Sequence, residues 1–159
     1  MLIQDENQLF KIKNAVMQMY DLITAIYNLP FIKHILKIII GDNNFKSLKF
    51  EAETHIQRKK AFKQGKDTIL YNAPALLIFI APKNDLIAID NASIMAQNIL
   101  LGATSLNLGG CYMGCITTGC RELKYKPLLK TLNLPENYTV FQALILGYPS
   151  FQFNKMPER

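Results

Sequence analysis

Apolar residues recur at steps of three and four near the start of the chain: Leu9, Ile12, Val16, Met19, Tyr20, Ile23, Ile26 and Tyr27. That spacing puts one apolar stripe along a helix and predicts a helix over residues 5–28. Asp5 stands where an N-cap belongs, with Gln8 three positions on in a capping-box-like arrangement. Asn28-Leu29-Pro30 stops the pattern, since the residue before a proline is pushed out of the helical region. A shorter helix is predicted from Phe31 to Ile40, ending at Gly41. Asp42 to Thr54 is polar and without a clear period, so a loop or lid is expected there. A third helix over Ile56 to Gln64 ends near Gly65.

The period then changes. PALLIFIAP, residues 74–82, is a short β-rich run closed by prolines at both ends and reads as a buried strand. After a turn at Asn84-Asp85, helical spacing returns from Ile87 to Leu106 through Ile89, Ala92, Met95, Ala96, Ile99, Leu100 and Ala103. So little charge lies on this segment that a central helix, buried on most sides, is expected. Thr118 to Leu132 gives another amphipathic helix, and YTVFQALILGY, Tyr138 to Tyr148, a second core strand. The tail, PSFQFNKMPER, reads as extended. Two strands make a poor sheet, so further strands are expected, either unseen in the pattern or supplied by a partner.

Composition narrows the class. With 159 residues, 50% of them hydrophobic and 19% charged, the chain has the makeup of one globular domain over 1–159 rather than of a disordered segment. No run approaches the roughly 20 apolar residues that a membrane helix needs. The opening MLIQDENQ is acidic where a signal peptide is basic and then apolar, and three cysteines do not suit a secreted disulfide framework. A cytoplasmic protein is the expectation. The net charge of +6 brings a nucleic-acid partner into question, above all through Arg58, Lys59, Lys60, Lys63 and Lys66. No nucleic-acid motif accompanies them, and Lys59, Lys63 and Lys66 read as a solvated helix face.

All three cysteines fall in LNLGGCYMGCITTGC, Leu106 to Cys120. The spacing C-x3-C-x4-C lacks a fourth cysteine, and the two histidines, His34 and His55, lie far off in sequence. Structural zinc and iron–sulfur sites close with four ligands, so no metal site is assigned. A cysteine at a helix start could be a stabilised thiolate, although no Cys/His pair can be named. Cys111 and Cys120 read as small packing residues. Gly109, Gly110 and Gly114 let a backbone approach a flat ligand closely, and an N–H at a helix start can donate to it. A Gly-Gly helix stop is the ordinary alternative.

Taken in order, these features resemble the FMN-dependent nitroreductase family. The shared features are Ala73-Pro74 opening a strand, Asp90 followed by Gln97 and Asn98 on a helix, and LNLGGCYMG from Leu106 to Gly114. They continue with L-x-L-P from Leu132 to Pro135, ALILGYP from Ala143 to Pro149, and a basic tail NKMPER. The likeness is close over residues 70–159, looser before, and nearest the subgroup often fused to ferredoxin-type iron–sulfur domains. It implies an α+β fold, a nitroreductase-like antiparallel sheet flanked by helices and N-terminally shortened, because no R-R-S-x-R segment or A-P-S-x-x-N-x-Q-P-W stretch precedes MLIQDENQ. It also implies FMN held by Tyr112, Met113, Gly114 and Cys115, with the Gly114 amide facing the ring N5, and by Lys155 and Arg159 at the phosphate. The implied assembly is a homodimer. The implied donor is NAD(P)H or reduced ferredoxin and the acceptor a small nitro, quinone or related molecule, with no catalytic side chain named. A non-catalytic remnant that keeps this fold without the cofactor is the competing expectation.

Overall fold

The computed structural model describes residues 1–29 and 32–150. Along the chain run β1 (Leu2–Ile3), α1 (Glu6–Asn28), α2 (Ile32–Lys63), β2 (Ala75–Pro82), α3 (Ala88–Ser105), β3 (Gly109–Tyr112), α4 (Gly114–Arg121), α5 (Lys126–Leu132) and β4 (Tyr138–Gly147). The strands form one antiparallel sheet in the order β1-β2-β4-β3. All four strands therefore come from this chain, and the two that the pattern did not show sit at the edges.

α1 begins as its sequence dictates. Asp5 Oδ1 accepts the Gln8 N–H at 2.7 Å, satisfying one of the orphan donors at a helix start. Leu9, Ile12, Val16 and Met19 turn inward and are buried with Ile116, Leu128 and Leu132 of α4 and α5 against one sheet face. That face presents Leu76 and Ile78 of β2 and Val140, Ala143 and Ile145 of β4. Strand alternation alone would not put residues 140 and 143 on the same side. A bulge does it: Phe79 pairs with Gln142 and Ile80 with Val140, so Phe141 is the extra residue. Phe141 is thereby turned to the opposite face, where it packs with Phe79, Ala88 and Ala92.

Three expectations are corrected. Residues 42–54 are helical rather than a loop or lid, and the separate third helix is the end of the same α2. Gly41 does interrupt the helix, with φ 75° and ψ 165°, a conformation open to glycine. Beyond it Phe45 lies 5.9 Å from the Tyr27 ring, and Ala52 and His55 are buried, so docking on α1 sustains a helix that its polar sequence does not advertise. The single helix over Thr118–Leu132 is two, α4 and α5, with Lys124 in the left-handed region (φ 47°) at the corner. Finally, α3 is not buried on most sides. Ala88, Ala92, Ala96 and Ala103 are buried, whereas Ile94, Met95 and Leu101 are 61%, 55% and 61% exposed. Among the described residues no helix is long and apolar enough to cross a membrane.

Candidate functional site

The loop expected around Gly109–Gly110 is a strand, and one of its glycines, Gly110, is there for packing. A Cβ on Gly110 would run into Leu100 Cδ2 and stand 2.8 Å from Leu146 Cδ2, so only glycine lets α3 and β4 close on β3. β3 pairs with β4 from Gly109↔Gly147 to Tyr112↔Leu144, and the Met113 N–H extends the ladder to Ala143 O at 2.8 Å. The chain then turns straight into α4.

That turn separates the four adjacent candidates by role. Met113 is 5% exposed with its side chain in the core, and its carbonyl accepts from Ile116 N–H at 3.0 Å and Thr117 N–H at 3.3 Å. Both of its backbone groups are used, so it anchors the turn and offers a ligand nothing. Gly114 is the opposite case. None of the described hydrogen bonds uses its N–H, and a Cβ there would meet nothing within 4 Å. An unpaired amide at a helix start thus belongs to an exposed residue with free space around its Cα. Tyr112, 40% exposed, lies beside it on the edge strand.

Cys115, the next residue, is half-buried. Burial pushes its thiol up to about 11, and the opposing pull of the Ile116 N–H and of Arg58 does not offset it. Burial likewise raises Cys120 to about 12. The helix start therefore yields no thiolate here, and neither group is an activated nucleophile. Cys120 is a buried packing residue as expected, but Cys111 is exposed. Among the described residues no group of three or more His, Cys, Asp or Glu side chains comes together to hold a metal ion.

Around this turn lies a polar cluster that the sequence pattern did not show. The Tyr20 hydroxyl has its pKa raised, first by burial and then by the nearby Cys115 thiol. The Arg58 guanidinium stands 4.4 Å from the centre of the Tyr20 ring and is 3.5 Å from Glu51 Oε2. On its other side Tyr20 stacks on His55, with ring centres 5.6 Å apart. Glu51, His55 and Arg58 are four and three residues apart on α2, one face of a helix, and that spacing was the available signal. It was obscured because Glu51 falls in the stretch that reads as a loop, whereas Arg58 falls in the predicted helix after it. Arg58 and Lys59 are thus not on a free solvated face: Lys59 Nζ is 2.7 Å from Asp21 Oδ1.

The turn before β2 borders a separate cleft, which Tyr112, Met113, Gly114 and Cys115 do not line. Asp67 holds it: Oδ1 accepts the N–H groups of Ile69 and Leu70 at 3.0 and 2.9 Å, and Oδ2 accepts that of Asn72 at 3.1 Å and faces Lys13 Nζ at 3.1 Å. Burial raises the Asp67 pKa, but these amides and the Lys13 ammonium outweigh it, and the carboxyl ends below its ordinary value. Held this way, Tyr71 and Asn72 both take left-handed backbone angles, φ 53° and 58°. A cleft of about 720 Å³ lies between this turn, the first residues of β3 and the end of β4, a volume suited to a cofactor-sized ligand. Lys155 and Arg159 lie outside the described residues.

The family profile for the nitroreductase family matches residues 2–148. An NADPH-flavin oxidoreductase of Vibrio harveyi is 39% identical over 64 residues, which is 40% of this chain and 25% of that one. The matched stretch spans between 25% and 33% of the curated relatives it matches. Among solved structures, a nitroreductase with bound FMN from Bacteroides fragilis superposes with a TM-score of 0.60 at 16% identity, covering 99% of this chain and 70% of that one. A nitroreductase with bound FMN from Desulfitobacterium hafniense gives 0.57 at 16%, covering 99% and 69%. At those identities the likeness is one of fold.

Proposed function

The chain belongs to the nitroreductase family, and from that premise we propose that it is an FMN-dependent oxidoreductase with its flavin against the start of α4. One observation carries the reading: Gly114 is exposed beside Tyr112, its N–H has no described partner, and a Cβ there would meet nothing. A bound FMN would accept hydride from NAD(P)H and pass it to a small nitro, quinone or related acceptor. The chain's own part is to hold and orient. The Gly114 amide donates to an electron-rich ring nitrogen, and the backbone at Cys115 continues that edge. Tyr112 covers part of a flat face, and Met113 fixes the turn. Lys155 and Arg159 take the phosphate, arginine in bidentate fashion. A second copy of the chain covers the apolar outer side of α3 and completes the site. We further propose kinship with the ferredoxin-fused subgroup, a reading supported by LNLGGCYMG and ALILGYP, for which reduced ferredoxin is the alternative donor.

One observation favours the competing reading of a fold that has given up its cofactor. The arginines are Arg58, Arg121 and Arg159. Arg58 is engaged by Tyr20 and Glu51 and Arg121 by Glu122, so neither described arginine is free to take a phosphate, and Arg159 lies outside the described residues. Flavin titration separates the two. The purified chain should take up one FMN per protomer, quenching flavin fluorescence. Gly114→Pro removes the amide at the first helical position, where proline is tolerated, and should keep the fold while weakening FMN about tenfold. A colourless protein that takes up no added FMN would establish the cofactor-free reading instead.

A further inference from the structure

A second cleft, of about 690 Å³, lies between α1 and α2, and among the residues lining it are Asp21, Thr24, His55, Lys59, Lys60 and Lys63. Asp21 Oδ1 is engaged twice, by Lys59 Nζ and by His55 Nε2, each at 2.7 Å. Lys60 and Lys63 form no ion pair among the described residues, so cations outnumber carboxylates here. The informative group is His55. Its side chain is 2% exposed, yet its Nδ1 has no hydrogen-bond partner among the described residues, and neither has the buried Thr24 Oγ1. A buried polar atom left unpaired costs about 1–3 kcal/mol, and two in one cleft beside uncompensated lysines are not explained by packing.

We propose that this cleft binds a phosphate group, esterified or free. The His55 ring donates through Nε2 to Asp21, so Nδ1 accepts when the ring is neutral and donates when it is charged. Such a phosphate meets both conditions, with a P–OH for the first and a P–O⁻ for the second. Its remaining terminal oxygens accept from the Thr24 hydroxyl and from the Lys60 and Lys63 ammonium groups, the lysine bonds being charge-assisted. Lys59 stays with Asp21 and sets the ring. The same chemistry has two sources: a phosphorylated ribose, such as the 2′-phosphate of a nicotinamide dinucleotide, and free phosphate. The site does not depend on flavin, so it stands or falls separately from the reading of Gly114.

Calorimetric titration of the flavin-free chain with 2′-AMP and with inorganic phosphate, alongside ¹⁵N NMR of the His55 imidazole, tests it. Binding should be stoichiometric and should move the Nδ1 resonance. Lys60→Ala combined with Lys63→Ala, both exposed positions, should weaken it at least tenfold without unfolding the chain. His55→Gln, which keeps a donor for Asp21 and deletes Nδ1, should weaken it as well. Preference for 2′-AMP by tenfold or more assigns the ribose phosphate, and equal affinity assigns free phosphate. A ring nitrogen unmoved at saturation, or a double lysine variant that binds as tightly as the parent, overturns the proposal.

Discussion

On one face of the sheet, Leu76, Ile78, Val140 and Ala143 meet side chains from α1, α4 and α5 and are fully or almost fully buried. On the other face α3 approaches through alanines, and Ile94, Met95 and Leu101 are turned outward and exposed. The first face is finished within the protomer. On the second, the helix sits close because its inner residues are small, and its large apolar residues are left for something else to cover. Side-chain size, rather than apolar content, separates the two, since both sets of residues are hydrophobic. The same split recurs at smaller scale in the glycines. A Cβ at Gly110 would collide with Leu100 and Leu146, while one at Gly114 would touch nothing. One glycine serves the packing and the other leaves room.

The largest effect belongs to the finished face. Leu76 is 0% exposed at its centre, and Leu76→Ala should cost about 2–5 kcal/mol, read as a lower urea midpoint at unchanged slope. A loss under about 1 kcal/mol would mean that this face is less tightly closed than its burial indicates. Next comes Gly110→Ala, which overpacks β3 against α3 and β4 and should cost about 1–3 kcal/mol, against near zero for Gly114→Ala. Equal losses at the two positions would erase the distinction between them.

Much of the finished face was legible in the chain. The stripe from Leu9 to Tyr27 and the Asp5 cap are local features, and they produce the helix their spacing dictates. β2 and β4 announce themselves by β-rich runs bounded by prolines and turns. What stayed hidden depends on contacts distant in sequence. Residues 42–54 form a helix because Phe45, Ala52 and His55 dock on α1, and local propensity carries no record of that partner. β3 is four residues with two glycines, a strand only because β4 lies beside it. For α3 the apolar content was visible, but the sorting of alanines to one side and larger residues to the other could be read only by asking which size goes where. At the candidate site, the Gly114 turn was legible as a glycine before a helix. The Tyr20–His55–Arg58 cluster was not, since it joins two helices distant in sequence and local pattern carries no record of how they pair.

Asp67 gives a smaller effect with a defined pH dependence. Its pKa is lowered in the folded state, so it contributes stability above its unfolded value, and that contribution is lost as pH falls through the folded value. Asp67→Asn should cost about 1–3 kcal/mol at pH 7, because the Lys13 pair and one charged acceptor disappear. The difference between parent and variant should shrink below about pH 4, as the parent's carboxyl protonates. Urea midpoints at pH 7 and pH 3 check this. A gap that persists unchanged into acid would assign the role of Asp67 to shape rather than charge.

The smallest effect on the protomer is expected on the unfinished face, and it bears most directly on what that face is for. Ile94 is 61% exposed and lies on the outer side of α3. Ile94→Glu replaces it with a better helix former at a wet position, so the stability of the isolated protomer should change by no more than about 0.5 kcal/mol. If a second copy covers α3, the same substitution puts a charge into a desolvated apolar contact and should shift the sedimentation coefficient from dimer to monomer. It should then lower FMN uptake as well, if the proposed site is completed across the pair. Loss of the dimer with undiminished FMN binding would detach the flavin site from the interface, leaving the protomer sufficient to hold it. A dimer that survives Ile94→Glu would move the interface off this helix, and the alanine stripe would then be a matter of helix–sheet spacing alone.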